Sequence, residues 1–368
     1  MRTSTTNLFL LASTLTFAVG CDDELSVGFG DGDDVALRCP TSDCTGGPLN
    51  NTSLIGDHPL SNLSETRLEP AANDTADVRI EGGTLQHLGS PVSITEIDVE
   101  ADGELKLKLG TFGWFGGTAV KGATFYIYID PLNGDPTIGA ELKIADAWCS
   151  PGAYDPSMTI CRYEFVTNVK PKDTDSYPES EKVEGYYHTC PNEDEDGKLG
   201  ADYKFSSVLS PNVSVFSSGK TGPYIADTPG IFINGCINGA VSKGQFQLNA
   251  FYDPTAYRGL QVSQRTAMLR AWMAWFDDEP RTVPGKQISM QDPLNDLFDW
   301  TSDPAWELEA GYGALGARCR GGDPATGVHR NYVDPVINLP GWDTLPTCDT
   351  SNYTSSGAVL GVKVHTGP

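Results

Sequence analysis

Beyond residue 76 the chain is dominated by short runs in which apolar and polar side chains alternate, separated by glycine, proline and aspartate. A two-residue period marks half-buried strands. The clearest runs are Leu105-Lys106-Leu107-Lys108-Leu109, Glu141-Leu142-Lys143-Ile144-Ala145 and Gln245-Phe246-Gln247-Leu248-Asn249-Ala250-Phe251, joined by the aromatic-rich Ala123-Thr124-Phe125-Tyr126-Ile127-Tyr128-Ile129. Between that run and residue 141 lies Asn133-Gly134, a step that tolerates the positive φ of a hairpin turn. Further strands are expected over 92–98, 161–168, 231–240, 315–320 and 358–364. The pattern predicts a mainly β protein, a disulfide-stabilised β-sandwich or partly open barrel.

One segment has a different period. Across 263–276 apolar residues recur at helical spacing, with Ser263 at the start and Asp277-Asp278-Glu279-Pro280 at the end. This predicts one short α-helix of three to four turns near 263–276. Met268, Leu269, Trp272, Trp275 and Phe276 form its expected packed stripe, and Arg265 and Arg270 its expected wet face. Core packing accounts for the aromatic stripe better than a ligand platform does.

The first residues carry a different message. Arg2 precedes an uncharged apolar run over residues 7–19, too short to cross a bilayer core of ~30 Å comfortably, so 1–20 reads as an export signal. It ends in Ala18-Val19-Gly20-Cys21, which resembles the lipobox of bacterial lipoproteins, although that family favours Leu where this chain has Ala18. The resemblance implies cleavage before Cys21 and acylation of its thiol. It also implies an exported, membrane-anchored lipoprotein of the bacterial cell envelope. The alternative is ordinary cleavage after Gly20 with Cys21 free or paired. Acyl chains bind firmly because each buried CH₂ adds ~0.8 kcal/mol. Residues 22–75 hold eleven acidic and two basic side chains and almost no aromatic ones, so 21–75 reads as an acidic flexible tether before a mainly β domain over 76–368.

Charge narrows the list of partners. The net charge is −24, with 49 acidic against 25 basic side chains and no basic run, so nucleic acid is not an expected partner. The membrane is, through the lipid anchor; a protein or glycan partner is left unidentified.

Of nine cysteines, giving Cys21 to lipid leaves Cys39, Cys44, Cys149, Cys161, Cys190, Cys236, Cys319 and Cys348, an even set. An exported chain folds where disulfides persist, so these eight are disulfide candidates, with connectivity left open among about 105 arrangements. Pairing each with its nearest neighbour is one of them. Zinc is disfavoured: no CxxC pair occurs, and only His188, two residues before Cys190, sits near a thiol. No cofactor is implied.

The blocks Ile233-Asn234-Gly235-Cys236 to Gly244, Arg270-Ala271-Trp272-Met273-Ala274 and Trp306-Glu307-Leu308-Glu309-Ala310 to Cys319, all within residues 231–320, resemble the ADYC-domain family, predicted exported bacterial proteins named for an Ala-Asp-Tyr-Cys motif. The resemblance rests on three blocks. In Ile233-Asn234-Gly235-Cys236 through Ser242-Lys243-Gly244, Cys236 fits the family's first cysteine and Gly244 replaces the second. In Arg270-Ala271-Trp272-Met273-Ala274 only Arg270 and Ala271 match, followed by Thr282, Gly285, Ile288 and Asp292. In Trp306-Glu307-Leu308-Glu309-Ala310 through Ala317-Arg318-Cys319, Cys319 fits the cysteine of the closing hairpin. Arg265 and Ala274 stand where the family carries cysteines, which implies a disulfide lost from this chain. The resemblance implies an exported, disulfide-bearing fold and supplies no catalytic residues.

Other motifs fail on context. Gly311-Tyr312-Gly313-Ala314-Leu315-Gly316-Ala317 fits a dinucleotide fingerprint but lacks the apolar strand before it and the helix after it, so a hairpin turn is expected. Gly219-Lys220-Thr221 lacks the upstream glycine of a P-loop. Asn192-Glu193-Asp194-Glu195-Asp196-Gly197 makes Asn192, Asp194 and Asp196 calcium candidates, although Asn occupies position one and Tyr203 stands where a bidentate Glu belongs. The five histidines form no HExxH, and no Gly-x-Ser-x-Gly elbow occurs. The expected function is therefore a non-catalytic binding or structural module, with a secreted hydrolase of glycans or peptides acting through carboxylates as the alternative.

Overall fold

The computed structural model describes residues 54–55, 58–59, 62–64, 71–72, 76–131, 136–151, 159–171, 182–190, 205–217, 223–236, 261–273, 288–291, 305–329 and 344–365. In chain order the strands are β1 (Leu54–Ile55), β2 (His58–Pro59), β3 (Asn62–Ser64), β4 (Ala71–Ala72), β5 (Ala76–His87), β6 (Ser90–Ser93), β7 (Glu96–Val99), β8 (Leu105–Lys108), β9 (Trp114–Gly116), β10 (Thr124–Pro131) and β11 (Ile138–Pro151). There follow β12 (Thr159–Thr167), β13 (Tyr187–His188), β14 (Ser206–Ser217), β15 (Pro223–Cys236), a helix (Val262–Trp272), β16 (Ile288–Gln291), β17 (Trp306–Gly313), β18 (Gly316–Asp323), β19 (Val328–His329), β20 (Thr347–Cys348) and β21 (Leu360–His365).

Ten strands form one antiparallel sheet in the order β3-β15-β14-β12-β11-β10-β5-β4, with β13 paired to β12 and β6 to β5. The sheet curls until β3 touches β4 and β5, yet among the described residues no ladder closes it. The protein is thus mainly β, with a strongly curved sheet and, among the described residues, no closed barrel. Alternation places Val78, Ile80, Phe125, Ile127, Leu142 and Phe165 inside one apolar cluster. β7, β8 and β9 form a separate sheet whose Ile97, Val99, Leu105 and Leu107 join the same cluster. The Leu105 N–H donates to the Tyr163 hydroxyl oxygen at 2.7 Å, so the one polar group that Tyr163 brings into this core is satisfied.

β16, β21, β17, β18 and β19 form a further sheet, with β20 parallel to β18. β17 and β18 are a hairpin, with Gly313 opposite Gly316, so the stretch that fits a dinucleotide fingerprint is a turn. The helix touches β15 of the large sheet and β17, β18 and β21 of this one.

The helix starts at Val262, one residue before the expected Ser263, because the Gln264 side-chain oxygen accepts the N–H of the capping Gln261 at 2.9 Å and fixes the first turn there. Its expected wet face is absent. Arg265 is 0% and Arg270 3% exposed, since sheets cover the helix on more than one side. Met268, Leu269 and Trp272 are buried as expected, while Trp275 and Phe276 lie outside the described residues.

The tether boundary also moves. Ile55 and Leu63 are buried in the large core and β3 pairs with β15, so the folded region reaches back to Leu54. Two apolar side chains that find a sheet outweigh the polar composition around them. The expected strand at 245–251, the Asn133-Gly134 turn and residues 1–53, with the signal, Cys21, Cys39 and Cys44, lie outside the described residues.

Among the described residues three disulfides join Cys149 to Cys161, Cys190 to Cys236 and Cys319 to Cys348. All three are nearest-neighbour pairs. Cys149 and Cys161 stand directly opposite on β11 and β12, Cys190 ties the segment after β13 to the end of β15, and Cys319 fastens β18 to β20.

Candidate functional site

Two places concentrate chemistry that the fold alone does not require. The first arises from a single inserted residue. Along β11 the even positions Ala140, Leu142 and Ile144 face the core, but Ala145 has no partner on β12 and the buried position shifts to Ala147. The bulge turns Asp146 to the opposite face of the sheet, where it stands across from Glu164. Lys121 Nζ lies 2.8 Å from Asp146 Oδ1. His188 on β13 completes the group, with Nδ1 3.2 Å from Glu164 Oε1, an ion-pair distance rather than an aligned hydrogen bond.

Burial, aided by the charge of Asp146 and opposed by Lys121, pushes the Glu164 carboxyl up to about 7. The His188 ring is stacked on Phe205, with centroids 3.6 Å apart and planes 9° off parallel. Phe205 holds φ at 58°, a left-handed backbone that a bulky side chain rarely adopts. A carboxyl titrating near neutrality beside an imidazole can store and pass a proton. The pair is nonetheless enclosed: the side chains of His188 and Glu164 are 6% and 16% exposed. Arg162, on the same strand and also buried, lies with its guanidinium 5.7 Å from the Trp148 ring.

The second place is open. β5 and β6 are joined by Leu88 and Gly89, with φ of 51° and 82°. Leu88 is 87% exposed. The loop between β8 and β9 brings Phe112, 55% exposed, to the same spot, since the His87 ring lies 4.9 Å from Phe112 and 5.0 Å from Phe115. Trp114, 46% exposed, follows on β9, with Lys108 Nζ 5.7 Å from its ring. The Lys108 ammonium itself is held by Glu96 at 2.5 Å.

Sequence reading did not find either place. Glu164, Asp146 and His188 come from three strands and are united by a bulge that no local pattern announces. The open tip did leave a signal: residues 82–95 and 109–120 contain no Asp, Glu, Lys or Arg in a chain with 74 such residues. Of the residues expected to carry chemistry, the six cysteines from Cys149 onward are brought together in pairs. The calcium candidates Asn192, Asp194 and Asp196 lie outside the described residues. Among the described residues, no group of three or more His, Cys, Asp or Glu side chains is placed to hold a metal ion, and no helix is long and apolar enough to cross a membrane. No family model, no curated protein and no solved structure matches the chain.

Proposed function

We propose that the protein is a lipid-anchored component of the bacterial cell envelope, a divergent relative of the ADYC-domain proteins. Its folded region is a non-catalytic binding module. One observation carries the binding reading. The titratable pair is closed inside the fold, whereas Leu88, Phe112 and Trp114 are held open on two neighbouring hairpins. Exposed apolar side chains gathered in this way mark a contact surface. The three disulfides favour an oxidising compartment outside the cytoplasm. The lipobox-like Ala18-Val19-Gly20-Cys21 supplies the anchor.

The test is metabolic labelling with a radioactive fatty acid in a bacterial host. Label should enter the envelope-bound protein and vanish in Cys21→Ser. A protein that is unlabelled and soluble contradicts the proposal.

Glu164 and Asp146 also favour the hydrolase reading, as an acid titrating near 7 facing a second carboxylate across the strand pair. On that reading Glu164→Gln abolishes hydrolysis of glycans or peptides without unfolding the chain. Unchanged hydrolysis by that variant removes it.

A further inference from the structure

The two central residues of the β5–β6 turn both have positive φ, a backbone for which Asn-Gly is favoured. Leucine suits neither the backbone nor the water around it. It is strained at φ 51° and 87% exposed, and both costs would disappear with asparagine. A strained, exposed side chain of this kind points to a function. Its neighbours share the pattern. Phe112 stands out from the next loop against His87, and Trp114, two residues further on, is half-exposed on β9 with Lys108 as its cross-strand neighbour.

Charge selects the occupant. A chain of net charge −24 meets most surfaces through carboxylates, yet the two segments that build this tip, 82–95 and 109–120, carry no ionised side chain of the Asp, Glu, Lys or Arg type. Leu88 and Phe112 can enter the headgroup–acyl boundary without desolvating an ion, Trp is favoured at that depth, and the Lys108 ammonium beside Trp114 can stay at the headgroups with its Glu96 partner. A glycan would instead want several hydrogen-bonding side chains around the rings.

We propose that Leu88, Phe112 and Trp114 dip into the bilayer surface and hold the folded region against the membrane that carries it. The proposal rests on the reading of Cys21 as a lipid anchor, because the anchor keeps the tip at high local concentration and a weak insertion then suffices.

The experiment uses the full mature chain, acylated, in phosphatidylcholine vesicles with and without brominated acyl chains, and reads tryptophan quenching. Brominated lipid should quench the wild-type protein, and Trp114→Phe should lose most of that quenching. Leu88→Asn should raise the melting temperature while cutting the quenching. Equal quenching in wild type and Trp114→Phe, or a Leu88→Asn protein that is more stable and equally quenched, overturns the proposal. So does a tip that binds a soluble saccharide or protein while the vesicles leave Trp114 unquenched. A second arm separates the tip from the anchor. Cys21→Ser should still co-sediment weakly with the same vesicles, and Leu88→Asn added to it should lower that affinity about tenfold. Failure of the first protein to co-sediment refutes the tip whether or not Cys21 is acylated, and absence of acyl mass on the mature chain refutes the anchor alone.

Discussion

Asp146 and Glu164 face each other across β11 and β12 because Ala145 is an extra residue, and the charge of Asp146 adds to burial in raising the carboxyl of Glu164 to about 7. The unfolded chain would release that proton near 4.5, so between about pH 4.5 and 7 the folded state binds more protons than the unfolded one. The stability contributed by Glu164 is therefore greatest below that window and falls as pH rises through it. Allowing for partial solvation, the loss assigned to Glu164 is about 1–2 kcal/mol. Urea melts at a series of pH values should show this slope, and Glu164→Gln should flatten it. An unchanged slope in the variant means that the carboxyl is not held up by its surroundings.

Arg265 offers a second check. Its guanidinium is buried and its Nη2 donates to Asp227 Oδ1 at 2.5 Å, while the Asp227 side chain is 46% exposed. Arg265→Ala removes a fully buried side chain that spans the helix and β15, and should cost about 3–5 kcal/mol. Asp227→Asn keeps a hydrogen-bond acceptor in a half-wet position and should cost about 1 kcal/mol or less. Equal losses in denaturant titrations would place the weight on the wrong partner.

Gly321 has no room for a side chain: a Cβ there would lie 1.7 Å from the Leu308 carbonyl oxygen, which is main chain and cannot step aside. Gly321→Ala should destabilise the β17–β18 hairpin by about 3 kcal/mol or more. Gly139→Ala, where a Cβ meets nothing within 4 Å, should change stability by less than about 1 kcal/mol. Thermal melts of the two variants side by side test the contrast.

The disulfides should differ in access as well as in worth. Cys149 is exposed, whereas Cys190, Cys236, Cys319 and Cys348 are buried. Mild reductant applied to the native protein should open Cys149–Cys161 first. By loop closure, removing that bridge, whose ends are 12 positions apart in sequence, should cost about 3 kcal/mol, and removing Cys190–Cys236, whose ends are 46 apart, about 4 kcal/mol. Mass spectrometry after timed alkylation gives the order of opening.

Much of the fold was legible because strands that are wet on one side announce themselves. Leu105 and Leu107 are buried while Lys106 and Lys108 face outward, as their alternation predicts. The same logic fails where both faces are covered: residues 206–211 of β14 and much of β12 are buried at successive positions, and the helix has no wet stripe, so Arg265 and Arg270 face protein rather than water. The end of the tether was misplaced because Ile55 and Leu63 are isolated apolar residues whose burial depends on partners far along the chain. The site residues were hidden for a related reason. A bulge at Ala145 changes which side chains share a face, and that change is fixed by pairing between strands rather than by neighbours in sequence.

The central claim is that this is an exported protein whose first mature residue is an acylated Cys21 and whose other cysteines are paired. Intact mass of the envelope-purified protein, measured with an alkylating agent before and after reduction, tests it most directly. The account predicts a chain that begins at Cys21 with acyl mass on it, no alkylation before reduction and eight alkylated cysteines after it. A chain that keeps residues 1–20, carries no acyl mass and is alkylated at Cys149, Cys190 and Cys319 without reductant would contradict it.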